Sequence, residues 1–218
     1  MKGTVTELEE AMATDRKTRT RTHGVDILMS CHPKVRKLKH LHIASSHGNK
    51  FWTSSWLLMD FFKRRGLTEG VSVMEVGCGW GLAGIYCAKK HGAKVTGVDV
   101  DPEVFPYLRL HAEINRVEIT TIKKSFGGLT VRDLKGFDVL IGADICFWDG
   151  MVYSMKRLIN RALRTGVRMV LIADPGRPTF DKLGGYFIEK GRGEILDWTA
   201  QRPRRIEGRI LKIGSLRE

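Results

Sequence analysis

The sequence predicts an α/β fold: a seven-stranded, mostly parallel sheet with helices on both faces and an antiparallel hairpin at its C-terminal end. Three observations predict it. Short apolar, β-branched runs alternate with helical patterns from Val71 onward, as in βαβ units. A glycine-rich turn, VGCGWG (Val76–Gly81), joins the first of those runs to a helix. The last two runs, EILDWTAQR and RRIEGRILKIG, leave room only for a short turn, so they must pair antiparallel.

In chain order, residues 1–48 read as a basic N-terminal extension and 49–218 as the domain. DRKTRTRTHG is polar and without clear periodicity, the pattern of a flexible or loosely packed segment. CHPKVRKLKHLHIASSHG contains His32, His40, His42 and His47, but nothing in their spacing demands a metal site. It reads as a basic helix or arm. FWTSSWLLMDFFKRRG has apolar residues at Trp52, Trp56, Met59 and Phe62, near helical spacing, with Gly66 as a stop and Ser54 or Ser55 as the cap.

The alternation then begins. VSVMEVG is a buried strand, followed by a helix from Gly81 to about His91. KVTGVDV is the second strand, and PEVFPYLRLHAEIN a helix with an early proline. EITTIKKSF is a weaker third strand and FDVLIGADI a strong fourth, followed by a helix over Asp149–Arg164 that Asp149 would cap. RMVLIADP is the fifth, and TFDKLGGYFIEK reads as a helix interrupted at its glycine pair.

Composition sets the outer limits. A chain of 218 residues, 42% hydrophobic, suits one globular domain with a real core. No apolar run approaches the roughly eighteen residues of a membrane span, and MKGTVTELEEAMATDRK lacks the apolar stretch of a secretory signal. The four cysteines are dispersed without a C-x-x-C pair, so a reduced, cytoplasmic chain is expected. The net charge of +13 and a pI near 9.8 favour a nucleic acid, an acidic protein surface or anionic lipid as partner.

The glycine turn fits two motifs at once. Gly79, Gly81 and Gly84 fit G-x-G-x-x-G, the dinucleotide fingerprint. Glu75 with Gly77, Gly79 and Gly81 fits [DE]-x-G-x-G-x-G, the loop that takes S-adenosylmethionine. Asp99, twenty residues past Gly79, supplies the acid that either cofactor's ribose needs. Charge decides between them. A pyrophosphate at the helix N-terminus is favoured by the helix dipole and opposed by a nearby carboxylate, whereas a sulfonium and an ammonium favour one. With Glu75 at the end of the first strand, the methyl donor is preferred to NAD.

From Trp52 to Asp174 the chain resembles the class I, seven-strand methyltransferases. Within them it is similar to the lysine methyltransferase group that includes the electron transfer flavoprotein β-subunit enzyme and bacterial relatives. The resemblance rests on EVGCGWG with GVDVDP, on DICF (Asp144–Phe147) matching D-x-x-[FY] after strand four, and on IADPGRPTF after strand five. It implies a Rossmann-like fold and S-adenosylmethionine as cofactor. Glu75, Gly77, Cys78 and Gly79 would line the methionine part, and Asp99 the ribose. Val100, Ser125 and Phe126 would lie around the adenine, although Phe126 could equally be a core aromatic. Trp52 would lie over the cofactor, and Ala143 and Asp144 beside the transferring methyl. Asp144 would orient an acceptor amine within an aromatic wall formed by Phe147, with Trp148 either in that wall or a packed surface aromatic. DPGRP could form the acceptor rim or only a rigid turn.

The resulting expectation is methyl transfer to the side-chain amine of a lysine in a protein partner. The alternatives are a methyltransferase acting on RNA or a small molecule, a non-catalytic nucleic-acid-binding module, and, least favoured, a dehydrogenase. The position after strand four lacks the [DN]-P-P-[FYW] box of base and glutamine-amide methylation, which counts against a nucleobase.

Overall fold

The computed structural model describes residues 15, 17–45 and 47–216. The expected loose character of residues 1–14 lies outside the described residues. The basic helix expected around Pro33 is present, but over residues 19–28 the structure departs from the sequence reading. β1 (Arg19–Thr22) and β2 (Val25–Leu28) form an antiparallel hairpin in which Thr22 faces Val25. Its two-residue loop, His23 and Gly24, has φ of 50° and 83°, the positive pair whose twist suits a hairpin. Val25, Ile27 and Leu28 are buried in the core. The β2 backbone is tied down as well: Asp26 N donates to Asn115 Oδ1, and Leu28 N donates to His111 Nε2. α1 (Pro33–Leu41) follows, capped by His32 and seated through Val35. Two four-residue strands, the first with arginine on alternate positions, leave too little apolar pattern to read in advance.

α2 (Ser54–Arg65) ends at Gly66 as expected, with φ of 77°. Neither expected serine cap forms. The N-cap residue is Thr53, which makes no side-chain cap bond; instead Ser54 N donates to Asp144 Oδ2 at 3.0 Å. A carboxylate from the far end of another strand thus satisfies one of the orphan donors of this helix.

The sheet elements are β3 (Ser72–Val76), β4 (Lys94–Asp99), β5 (Ile119–Lys123), β6 (Val139–Ala143), β7 (Met169–Asp174), β8 (Gly193–Ala200) and β9 (Ile206–Gly214). Their spatial order is β5-β4-β3-β6-β7-β9-β8; β9 runs antiparallel to both β7 and β8, and the remaining pairs are parallel. The expected architecture is therefore present. Alternate residues feed opposite faces. Val73, Val139 and Ile141 pack in one core layer, with α2, α3 (Leu82–His91) and α4 (Phe105–Asn115). Met74, Val76 and Leu140 pack in the other, with α6 (Asp149–Arg164) and α7 (Pro178–Glu189). Each fully buried aliphatic side chain in these layers contributes about 1.5–3 kcal/mol.

Three local readings are corrected. α7 runs unbroken through Gly184 and Gly185, because a Cβ at Gly184 would collide with Ile195 and the glycine lets the helix lie close on the sheet. The cap of α6 is Trp148, without a side-chain bond, and Asp149 is its first residue. A short helix, α5 (Val131–Leu134), was not anticipated; a Thr130–Asp133 capping box starts it. Among the described residues, no helix is long and apolar enough to cross a membrane.

Candidate active site

From β3 the chain builds outward through β4 and β5, then returns to add β6 and β7 on the other side. Such a switch point opens a crevice beyond the carboxyl ends of the strands, where open α/β sheets bind ligands. A cavity of about 410 Å³ lies there, within the roughly 300–1,000 Å³ of small-molecule sites.

One side of the cavity is the glycine loop and the end of β4. Asp99 Oδ2 accepts from Gly79 N and Asp99 Oδ1 from Asp101 N, both at 3.0 Å. Burial raises the Asp99 carboxyl above its usual range, and these amides pull it back toward the charged form. Each oxygen keeps a lone pair for a ligand hydroxyl. Gly79 has φ of 50°, and nothing lies within 4 Å of the Cβ it lacks, so its backbone faces the cavity bare.

Glu75 stands one layer below. It is 3% exposed and does not line the cavity. Its Oε2 accepts from Gly84 N at 3.0 Å, and a Cβ on Gly84 would approach that oxygen to 2.6 Å. Gly84 therefore reads as the glycine that admits Glu75 to the first turn of α3. Burial pushes the Glu75 carboxyl up to about 8, against the pull of the Gly84 and Ala83 amides. Cys78 also points away from the cavity. It packs with Val104, Phe105 and Leu108, and burial raises its thiol well above the usual value.

The other side is built at the ends of β6 and β7. Asp144 is 4% exposed and has φ of 56°, a left-handed conformation uncommon outside glycine. Besides Ser54 N, its carboxylate meets Arg177 Nη1 at 3.0 Å. The same guanidinium nitrogen lies 2.7 Å from Asp174 Oδ2, and the Gly176 and Arg177 amides donate to Asp174 Oδ1. The guanidinium carbon sits 4.4 Å from the centre of the Phe147 ring and 6.0 Å from that of Trp52, in cation–π range.

A strap from the N-terminal segment closes the cavity. Ser45 N donates to Asp101 Oδ2 at 2.7 Å, His42 Nδ1 meets Glu103 Oε2 at 3.0 Å, and Trp80 Nε1 donates to Gly48 O at 3.1 Å. His47 lies among Trp52, Phe147 and Trp148.

Ten of the residues singled out from sequence line this one cavity: Trp52, Gly77, Gly79, Asp99, Val100, Ser125, Phe126, Ala143, Asp144 and Phe147. Glu75 and Cys78 do not. Sequence reasoning missed Arg177 and the strap residues Ser45, His47 and Gly48. The only signal for Arg177 was an arginine inside a turn placed at a strand end; for the strap there was none.

A family model described as a methyltransferase domain matches residues 73–166, the stretch that carries the glycine loop, β3 to β6 and the cavity floor. Over this stretch the chain is similar to that methyltransferase family. The human electron transfer flavoprotein beta subunit lysine methyltransferase is 22% identical to it over 158 residues, covering 70% of this chain and 58% of that protein. The histidine protein methyltransferase 1 homolog of Dictyostelium discoideum is 28% identical over 131 residues, covering 57% and 42%. The chain thus spans little more than half the length of the human relative. Among solved structures, the Pyrococcus abyssi tRNA (uracil-54, C5)-methyltransferase in complex with S-adenosyl-L-homocysteine is similar in fold, with a TM-score of 0.52 and 20% identity, covering 89% of this chain and 43% of that one.

The donor that a match to a methyltransferase domain implies is S-adenosylmethionine, and the residues fit it. The charged side chains described in the cavity wall are Asp99, Asp101 and Asp144 against Lys124 alone; Lys124 is paired with Asp133 at 2.6 Å and Asp144 with Arg177, which leaves Asp99 and Asp101 as its net charge. An acidic wall opposes a pyrophosphate and suits a sulfonium and an ammonium. Asp99 would hold the ribose hydroxyls, and Val100 and Phe126 supply apolar surface beside it.

Proposed function

We propose that this chain transfers a methyl group from S-adenosylmethionine to the side-chain amine of a lysine in a protein. The observation that carries the reading is the setting of Arg177. Asp144 and the rings of Phe147 and Trp52, which line the cavity, already surround one cationic side chain beside it. Groups that suit a guanidinium also suit an ammonium or a methylated ammonium. The similarity to proteins named for lysine and histidine methylation supports a protein acceptor.

The donor, when bound, supplies a methyl group on a positively charged sulfur. The protein's own residues then have two tasks. The first is alignment, which Asp99 and the Gly79 backbone perform for the donor and Asp144 for the acceptor. The second is the protonation state of the acceptor. A lysine amine has an ordinary pKa near 10.4, so freeing it at pH 7 costs about 5 kcal/mol. A carboxylate beside the amine would increase that cost. Arg177 offsets the charge of Asp144, leaving an oxygen that can accept a hydrogen bond from the amine without fully stabilising its protonated form.

The test is a cell extract incubated with the protein and S-adenosylmethionine bearing a deuterated methyl group. Peptide mass spectrometry is expected to find the label on lysine side chains, and to find none with Asp144→Ala. Label recovered in RNA or in small molecules, with none on lysine, would overturn the acceptor assignment.

A further inference from the structure

A second depression, about 770 Å³ in volume, adjoins the active-site cavity and shares Trp52 with it. Its walls come from three separate parts of the chain: the β1–β2 hairpin with the turn after it, the segment leading into α2, and the tip of the β8–β9 hairpin. The floor is apolar, formed by Met29, Phe51 and Trp56. Its rim is basic. Lys50 and Arg204 line it, no carboxylate among the described residues does, and Arg202 is exposed two residues from Arg204. Among the described residues none of these three cations pairs with a carboxylate, whereas Arg205 beside them meets Glu207 at 2.5 Å. Lys50 Nζ stands 4.3 Å over the Trp52 ring, so the positive rim reaches the wall shared with the active site.

We propose that this groove docks an acidic, extended protein segment and leads it past Trp52 to the cavity, an inference that rests on the protein-lysine reading above. An unpaired basic rim selects carboxylates by charge complementarity and raises the encounter rate. An apolar floor adds contact area for side chains interspersed among them. A single-stranded nucleic acid fits less well. It needs exposed ring faces on which bases stack, and Trp56 is 5% exposed. It also needs cations spaced along a phosphate backbone, and this groove concentrates them at its rim.

The probe is a fluorescein-labelled peptide with a central Leu-Lys-Leu flanked on both sides by Asp and Glu. Its binding is read by anisotropy on the full chain in the presence of S-adenosylhomocysteine. A second peptide has the flanks changed to Lys and Arg. The acidic peptide is expected to bind the wild-type chain and to bind the double variant Arg202→Glu, Arg204→Glu about tenfold more weakly; the basic peptide is expected to show the reverse preference. Unchanged S-adenosylhomocysteine affinity in the variant shows that it is folded. The proposal is overturned if the acidic peptide fails to bind, if both peptides bind alike, if the double variant binds as wild type does, or if oligouridylate displaces the peptide and itself depends on Arg202 and Arg204. Binding in the expected pattern without methylation of the central lysine would uphold the groove and remove the lysine reading, so the two fail separately.

Discussion

Asp99 and Glu75, on the donor side, receive their hydrogen bonds from backbone amides. Asp144 and Asp174, on the proposed acceptor side, also accept from backbone amides but in addition share one side chain, Arg177. A carboxylate held by amides is fixed by the path of the loop, and its position is written into the spacing of glycines around it. A carboxylate that is also paired with a side chain depends in part on that side chain's rotamer. The proposed donor side is therefore set by the path of the loop, and on the proposed acceptor side the charge at Asp144 depends on Arg177 as well.

The largest effect expected from this contrast is on stability. The folded chain holds a proton on Glu75 up to about pH 8, whereas an ordinary carboxyl releases it near 4.5. The native state therefore loses stability as pH rises through that window, by on the order of 5 kcal/mol. Glu75→Gln should remove this slope, because its amide does not titrate there. Asp99 and Asp174, also raised by burial, remain in both chains, so the difference isolates Glu75. Urea unfolding from pH 5 to 9 measures it; parallel curves for the two chains would break the account of the loop.

On the acceptor side the expected losses fall on turnover. Asp144→Ala removes the support of the α2 N-terminus and one partner of Arg177. Transfer should fall on the order of 100-fold, while affinity for S-adenosylhomocysteine stays within a few-fold. An equal loss in both would mean that Asp144 belongs to the donor template. Arg177→Gln is the smallest of the three. Without the cation, Asp144 stabilises the protonated amine, and the pH–rate profile should move upward by about one unit. An unmoved profile with lower turnover would make Arg177 only a structural brace.

The same contrast explains what could be read in advance. The runs at Val139–Ala143 and Met169–Asp174 are apolar throughout because both faces of those strands are covered. The glycine loop was legible because a turn that exposes its backbone tolerates few other residues. The N-terminal hairpin was not: its strands are short, arginines dominate β1, and its burial depends on Asn115 and His111 from a helix far along the chain. Ser54 gave the wrong cap because the acceptor of its N–H is Asp144, ninety residues away. Arg177 was hidden for a similar reason. Nothing in DPGRP says that its guanidinium turns back to meet both Asp174 and Asp144. Glu75 was expected to line the methionine part of the donor, whereas its carboxylate turns to the first turn of α3; spacing alone does not distinguish a carboxylate facing the cavity from one facing the helix behind it.

The central claim is that the cavity beside Asp99 holds S-adenosylmethionine. Calorimetric titration of the wild-type chain and of Asp99→Ala with S-adenosylhomocysteine, and separately with NAD, tests it most directly. The account predicts that S-adenosylhomocysteine binds the wild-type chain, that binding weakens by at least about 100-fold in the variant, roughly 3 kcal/mol, and that NAD binds neither. Binding of NAD alone, or S-adenosylhomocysteine binding that ignores the loss of Asp99, would contradict it.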